Sequence, residues 1–416
     1  MKRQYKDSGI EWIGKIPETW EVCRFKDFLS LKNEPSNSPN KIGLENIESE
    51  TGHFIPSTST FDGNGTAFTT GDVVYGKLRP YLRKVWLADC DGNAVGDFFV
   101  FRCKINVNNQ YAKWLLLSDG FTEIVNSSTF GAKMPRVSSN FILTLPYYLP
   151  SISEQQRIAD YLDEKCGEID SLIALQEQMI EKLKAYKQSV ITETVTKGLD
   201  PNAKLVPSGI DWIGEISEKY NLIKFKYIFQ IIGGCGFKDI YQGETEGDYP
   251  FCKASDINGD SIYVNSAKNW VNEELVKKEK YNIIPKGSIL ISKIGEALKK
   301  NHRKINNCDC IVDNNCEGFS NKSSNEIKML YYILKCVDMS WFDNQGTIPS
   351  INNEKLKNSY LPIPPICEQK EMINYLDSKC TEVDRLIALK QQKIASLKDY
   401  KKSVIYEAVT GKTVIE

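Results

Sequence analysis

The chain has 416 residues, enough for two or three domains rather than one core, and 41% of them are hydrophobic, so most of it is expected to fold. Its 53 basic and 54 acidic residues leave a formal charge of -1, which excludes a uniformly basic nucleic-acid coat and confines any such contact to one face or groove. No run of about 18 to 20 apolar residues occurs, which excludes a membrane-spanning helix.

In chain order, the basic start Met1-Lys2-Arg3 has no apolar run behind it, so no signal peptide is expected. Next comes Ser8-Gly9-Ile10-Glu11-Trp12-Ile13-Gly14-Lys15-Ile16, which returns 200 residues later as Ser208-Gly209-Ile210-Asp211-Trp212-Ile213-Gly214-Glu215-Ile216. From about residue 18 to 150, short β-rich runs such as Asp72-Val73-Val74-Tyr75 alternate with Gly, Asn, Asp and Ser turns. A helix is predicted at Gln110 to Leu117, and the Pro-rich stretch Leu145 to Pro150 ends this part.

A proline-free stretch of more than forty residues follows, Ser153 to about Lys197, with Ser153 and Gln156 as the predicted helix start. Its positions Leu162, Cys166, Ile169, Ile173, Gln176, Ile180, Leu183, Lys187 and Val190 are spaced alternately four and three, the 3.5-residue repeat of a coiled coil. Residues 218 to 365 then repeat the β-rich style, with Ser288-Ile289-Leu290-Ile291, a predicted helix at Glu326 to Val337 and the Pro-rich Leu361 to Pro365. The last stretch, Cys367 to about Thr410, carries the same seam at Leu376, Cys380, Val383, Ile387, Lys390, Ile394, Leu397, Lys401 and Val404. Each such helix would be about 60 to 65 Å long at 1.5 Å per residue and must bury its stripe against another long helix. Its twin is the obvious partner, side by side and antiparallel, which gives the chain a pseudo-twofold internal repeat; a parallel homodimeric coil is the competing reading for either helix alone. Leu172, Leu175, Met179, Tyr186, Leu386, Leu389 and Tyr400 widen the stripe and imply either protein partners docked on it or cover by the intervening linker.

The expected architecture is therefore α+β: two similar mixed α/β domains, 1–150 and 201–365, and two coiled-coil helices, 151–200 and 366–416. Between the repeated edges the halves diverge, but Gly71 to Leu78 aligns with Gly287 to Ile294, and Met134-Pro135 with Ile348-Pro349. Both halves place basic residues after the aligned strand. The first has Lys77, Arg79, Arg83 and Lys84 with no acid; Lys277 to Lys304 in the second holds nine bases against two acids, among them Lys293, Lys299, Lys300, Arg303 and Lys304. Such residues neutralise phosphates or, for Arg, Asn and Gln, pair with base edges, although for any one lysine a solvated face is an equal reading. The loops Thr129 to Lys133 and Asp343 to Thr347, with Lys133 and Gln345, are further DNA-binding candidates.

The chain resembles the specificity subunit of type I restriction-modification enzymes. The resemblance rests on the paired Ser-Gly-Ile-(Glu/Asp)-Trp-Ile-Gly openings and on Leu149-Pro150-x-Ile152-x-Glu154-Gln155-Gln156 and Ile363-Pro364-Pro365-Ile366-x-Glu368-Gln369, each leading into a long helix with Leu-Ile-Ala-Leu near its middle. It covers essentially the whole chain. It implies that each globular domain is a target-recognition domain for one half of a bipartite double-stranded DNA sequence and that the helices pair antiparallel as a ruler for the spacer. It also implies two adenine N6-methyltransferase subunits docked on the helices, restriction and translocation subunits that join them, and a cytoplasmic location. S-adenosylmethionine, ATP and Mg2+ would belong to those partners, with no cofactor in this chain.

No catalytic motif competes with that reading. There is no [Asp/Asn]-Pro-Pro-[Tyr/Phe] loop and no Walker A loop, and Phe61 to Gly65 and Ile232 to Gly236 lack fingerprint spacing. With two histidines, His53 and His302, no acid-base site is expected. The twelve cysteines have no framework spacing and read as reduced thiols; Cys308, Cys310 and Cys316 lack a fourth zinc ligand other than His302. The alternatives are a structural coiled-coil adaptor without specific DNA readout and, less favoured, an autonomous nuclease or methyltransferase.

Overall fold

The computed structural model describes residues 3–36, 38–57, 59–131, 133–210, 213–259, 261–264, 267–344 and 346–415. Contacts divide the chain into two units, Met1–Gln178 with Lys390–Glu416, and Met179–Leu389. The division falls inside the two long helices, Ile152–Lys197 and Ile366–Val409, so each unit owns the first part of one helix and the last part of the other. Both helices start one residue earlier than expected. In the first, Ser151 rather than Ser153 takes the cap position: its Oγ accepts the Glu154 N–H at 3.4 Å and its carbonyl the Gln155 N–H at 2.9 Å. The buried Gln155 amide donates to the Pro150 carbonyl at 2.9 Å, which fixes the helix start against the proline.

The first unit opens on the hairpin Tyr5–Asp7 with Lys15–Pro17. Its turn needs left-handed backbone at Gly9 (φ +67°) and Gly14 (φ +71°), a conformation costly for any side chain, and the Ser8 hydroxyl accepts the Ile10 N–H. Leu205–Pro207 with Glu215–Ser217 repeats this in the second unit, with Gly209 and Gly214 again left-handed. That shared geometry is why the motif is written twice; Asp211 and Trp212 of the second copy lie outside the described residues.

The centre of each unit is a four-stranded antiparallel sheet. In the first the order is Leu29–Lys32, Phe98–Cys103, Val73–Gly76, Val85–Leu87; in the second it is Phe229–Gly233, Cys316–Asn321, Ile289–Ser292, Arg303–Ile305. Both faces are covered. Val73, Tyr75, Val85 and Phe101 join the helices in one core, while Val74, Trp86 and Val100 pack with Ile42, Phe68 and Ala94 of a smaller sheet in another. Ile289, Ile291, Ile305 and Phe319 against Leu290 and Cys316 divide in the same way. A strand covered on both sides reads as a continuous apolar run, which accounts for Val73-Val74-Tyr75 and Ile289-Leu290-Ile291. The Pro-rich stretches are themselves strands, Pro146–Leu149 paired with Glu21–Arg24 and Tyr360–Ile363 with Asn221–Lys224.

The predicted short helices are Asn109–Leu117 and Ile327–Lys335. Each is clipped to a long helix by the repeated Glu-Gln motif. Gln155 accepts the Asn108 N–H at 2.8 Å and Gln369 the Glu326 N–H at 2.9 Å, both at the N-cap of the short helix. Eight residues on, Asp163 takes Trp114 Nε1 at 2.8 Å, and Asp377 takes the Tyr332 hydroxyl at 2.7 Å.

Within the first unit Ile158, Leu162 and Cys166 share a core with Val404, Ile405 and Ala408, and Lys401 Nζ reaches both oxygens of Asp170 at 2.7 Å. Numbers rise on one helix as they fall on the other, so the two segments are antiparallel. Within the second unit Val190, Ile191 and Val195 meet Met372, Ile373, Leu376 and Cys380, and Lys187 reaches Asp384 at 2.8 and 2.7 Å, again antiparallel. Of the seam residues, Leu162, Ile169, Ile180, Val190, Leu376, Val383 and Val404 are buried, and Ile173, Leu183, Ile387, Ile394 and Leu397 half-buried. Two ion pairs, Lys401–Asp170 and Lys187–Asp384, join the antiparallel segments, while the polar seam residues Gln176 and Lys390 are half-buried. No described helix is long and apolar enough to cross a membrane.

Candidate nucleic-acid interface

In both units the loop after the central strand is fastened to the proline-containing loop that sequence alignment paired across the halves. In the first, Leu78 bridges Arg136, the Arg79 N–H donates to the Pro135 carbonyl at 2.7 Å, and the Val137 N–H to the Lys77 carbonyl at 3.2 Å. Arg136 closes this clasp with two bonds to Asp97, at 3.0 and 2.9 Å, and they hold that carboxyl below its usual range. In the second, Ile294 bridges Ser350, the Gly295 N–H donates to the Pro349 carbonyl at 2.8 Å, and the Ile351 N–H to the Lys293 carbonyl at 3.0 Å. A proline supplies an acceptor with no competing N–H and a fixed φ, which suits it to this position.

Only some of the basic candidates face outward. Arg79, Lys133, Lys299 and Lys300 are exposed, Lys299 in an ion pair with Glu296 at 2.6 Å. Lys77 is half-buried, 3.9 Å from Asp97 and over the Phe99 ring, and Arg83 is paired with Asp119. Lys293 is half-buried, and Gln345 lies outside the described residues.

Three candidates need correction. Lys84 donates inward to the carbonyls of Leu44 and Ile47 at 2.8 and 2.6 Å, and burial pulls its ammonium down. Lys304 is buried and donates to the Asp256 carbonyl at 3.0 Å. Arg303 is fully buried, bonds the Val337 carbonyl at 3.0 Å and the Asn301 side chain, and is pulled down to about 10 by burial. These cations are internal struts that satisfy loop carbonyls, not phosphate contacts. For Arg303 and Lys304 the physical reason is the sheet, since every residue of the strand Arg303–Ile305 is buried; Lys84, just before Val85–Leu87, is half-buried and turned inward by its two carbonyl acceptors.

Sequence reasoning passed over two features. The clasped loops and their flanks carry exposed large apolar side chains, Tyr81, Phe130 and Met134 in the first unit and Trp341 and Ile348 in the second. Apolar tips of this kind contact thymine methyls or unstacked bases, and the signal was available, since Met134 and Ile348 directly precede the aligned prolines. The second feature is Glu317, fully buried where the first unit has Phe99. Its Oε2 accepts from Asn353 at 3.1 Å, Oε1 has no hydrogen-bond partner among the described residues, and burial pushes the carboxyl up against the opposing pull of Asn353, Lys293 and Lys357.

Nothing among the described residues assembles a catalytic or metal centre. A cavity of about 360 Å³ in the first unit has the ion pairs Arg83–Asp119 and Lys401–Asp170 in its lining, beside Glu48, His53, Glu177 and Lys398. No three His, Cys, Asp or Glu side chains converge among the described residues; Cys310 and Cys316 are buried and Cys308 is exposed. Gly234 is a packing glycine, since a Cβ there would lie 1.8 Å from the Asp313 carbonyl oxygen.

Residues 17–185 and 217–399 each match the family described as type I restriction modification DNA specificity domain. The type I restriction enzyme MjaVIII specificity subunit of Methanocaldococcus jannaschii is 25% identical over 98% of this chain and 96% of its own. The EcoDI specificity subunit of Escherichia coli is 26% identical over 46% of this chain and 45% of its own. Among solved structures, the HsdS subunit from Thermoanaerobacter tengcongensis superposes with a TM-score of 0.52 at 19% identity, covering 98% of this chain and 100% of that one. A chain solved in work on complex assembly and conformational transition of the type I R-M system gives a TM-score of 0.72 at 19% identity, covering 96% and 99%. At such identities the structural likeness establishes the fold.

Proposed function

We propose, on the premise that this chain belongs to the family of the type I restriction modification DNA specificity domain, that it is the recognition subunit of such a system, each unit reading one half of a bipartite duplex DNA target. The observation that carries this reading is the clasp built twice: a post-strand loop tied to a proline loop, with exposed Arg79 and Lys133 in one unit and Lys299 and Lys300 in the other, beside exposed apolar side chains. Lysines position the duplex by its phosphates, and loop side chains, arginine among them, distinguish base edges in the major groove.

The chemistry is assigned to partner subunits. Two adenine N6-methyltransferase subunits dock on the long helices, where Leu172, Leu175, Met179, Tyr186, Leu386, Leu389 and Tyr400 are exposed at helical spacing. Restriction and translocation subunits join them; S-adenosylmethionine, ATP and Mg2+ serve those partners, and the complex acts in the cytoplasm. The long helices set the unspecified spacer between the half-sites.

The test is to map methylated adenines in the source cell with and without the gene. A split motif that disappears on deletion is expected; one that persists unchanged overturns the reading. Purified chain supplied with S-adenosylmethionine is expected to leave DNA unmodified. Removal of charge at Arg79, Lys133, Lys299 and Lys300 is expected to weaken DNA binding, whereas a coiled-coil adaptor would be indifferent to it.

A further inference from the structure

Arg79 has a left-handed backbone, φ +51° and ψ +64°, a region non-glycine residues enter at a cost of about 1 kcal/mol or more. Its counterpart across the two units is Gly295. Each follows the residue that bridges the proline loop, each donates its N–H to the proline carbonyl, and Gly295 is also left-handed at φ +70°. The clasp itself imposes the conformation, and glycine meets it without strain. A Cβ at Gly295 would meet nothing within 4 Å, so a side chain at this point of the clasp projects into open space.

The first unit nevertheless carries an arginine there. A second left-handed arginine four residues on, Arg83 at φ +47°, has an internal return for its backbone cost, the ion pair with Asp119. Its counterpart Asn301 is left-handed too and bonds the Val337 carbonyl at 3.2 Å. Lys77, Lys84 and Arg136 likewise end on acceptors within the unit. Arg79 is exposed and bonds no acceptor among the described residues, which leaves its guanidinium open to an external one.

We infer that Arg79 reads a guanine in the half-site of the first unit, its guanidinium fork donating to O6 and N7 in the major groove, and that the second unit makes no such contact at Gly295. The setting favours a base edge over a phosphate: the clasp fixes the backbone from which the arginine projects, and the exposed neighbours Tyr81, Phe130 and Met134 are poor company for a phosphate rail. This rests on the DNA-reading function proposed above.

The test uses the full chain with its partner subunits in the cell, comparing adenine-methylation motifs of the wild type, Arg79→Gly and Arg79→Lys. The glycine variant meets the backbone requirement, so its melting temperature is expected to be no lower than that of the wild type. Its motif is expected to lose the guanine requirement at one position of one half-site, preference there falling roughly tenfold to a hundredfold, with the other half-site unchanged. Lysine retains the charge but not the fork and is expected not to restore the preference. Unaltered preference at every position overturns the inference, as does uniform weakening across all sequences that lysine rescues, the mark of a phosphate contact. A wild type with no sequence preference at all overturns the functional reading, and the inference with it.

Discussion

Lys84 shows what a charge on paper becomes when its ammonium finds carbonyls. Two bonds run inward, to Leu44 and Ile47, and tie a loop to the central sheet. Lys84→Met leaves both acceptors without that donor and is expected to destabilise the first unit by about 1.5–3 kcal/mol, read as a shift in the urea midpoint, with the methylation motif unchanged. A changed motif at unchanged stability would contradict this role. Glu317 behaves oppositely. Its folded carboxyl titrates above the ordinary 4.5 because burial disfavours the anion, so the folded state keeps a proton that the unfolded chain has already lost. Stability therefore falls as pH rises from 4.5 through the raised folded value. Glu317→Gln is expected to raise the melting temperature at neutral pH, the gain shrinking to nothing as pH drops to 4.5; a gain independent of pH would refute the assignment. None of this was legible in sequence. Arg79, Lys84 and Arg303 look alike there, and only strand direction and acceptor position separate a guanidinium in solvent from one inside.

The long helices were the most legible elements, because a 3.5-residue seam over forty residues has no other economical explanation; their observed bounds lie within a residue of the expectation. The Glu-Gln repeat was visible as a repeat but not as a joint, since its partners Asn108 and Glu326, like Trp114 and Tyr332 beside Asp163 and Asp377, lie 43 to 49 residues away in sequence. Gln155→Leu orphans the Asn108 N–H and the Pro150 carbonyl together, and about 2–4 kcal/mol of stability is expected to be lost, measurable by thermal melting. The seam holds a second such device. Lys401 is nearly buried and bidentate on Asp170, so Lys401→Met and Asp170→Asn are expected to show a coupling energy of roughly 1 kcal/mol in a double-mutant cycle. Additive effects would mean the pair contributes nothing to register.

For the whole molecule, the internal repeat explains why both units have the same sheet order and the same clasp while their exposed loop residues differ. The spacer reading is tested by length: seven residues inserted after Gln178 add two turns, about 10 Å, and keep the heptad in phase. Both half-sites are expected to persist in the methylated motif with an altered spacer; an altered half-site with the original spacer would contradict the assignment. Taken alone, the sequence determined the duplication, the α+β class, the two helices and their seam, because these rest on periodicity and local spacing that each segment carries within itself. Tertiary structure decided which cations reach solvent, where the proline loop is fastened and that Arg79 and Gly295 share a positive φ, because burial, acceptor geometry and an imposed backbone conformation arise only when distant segments are packed together.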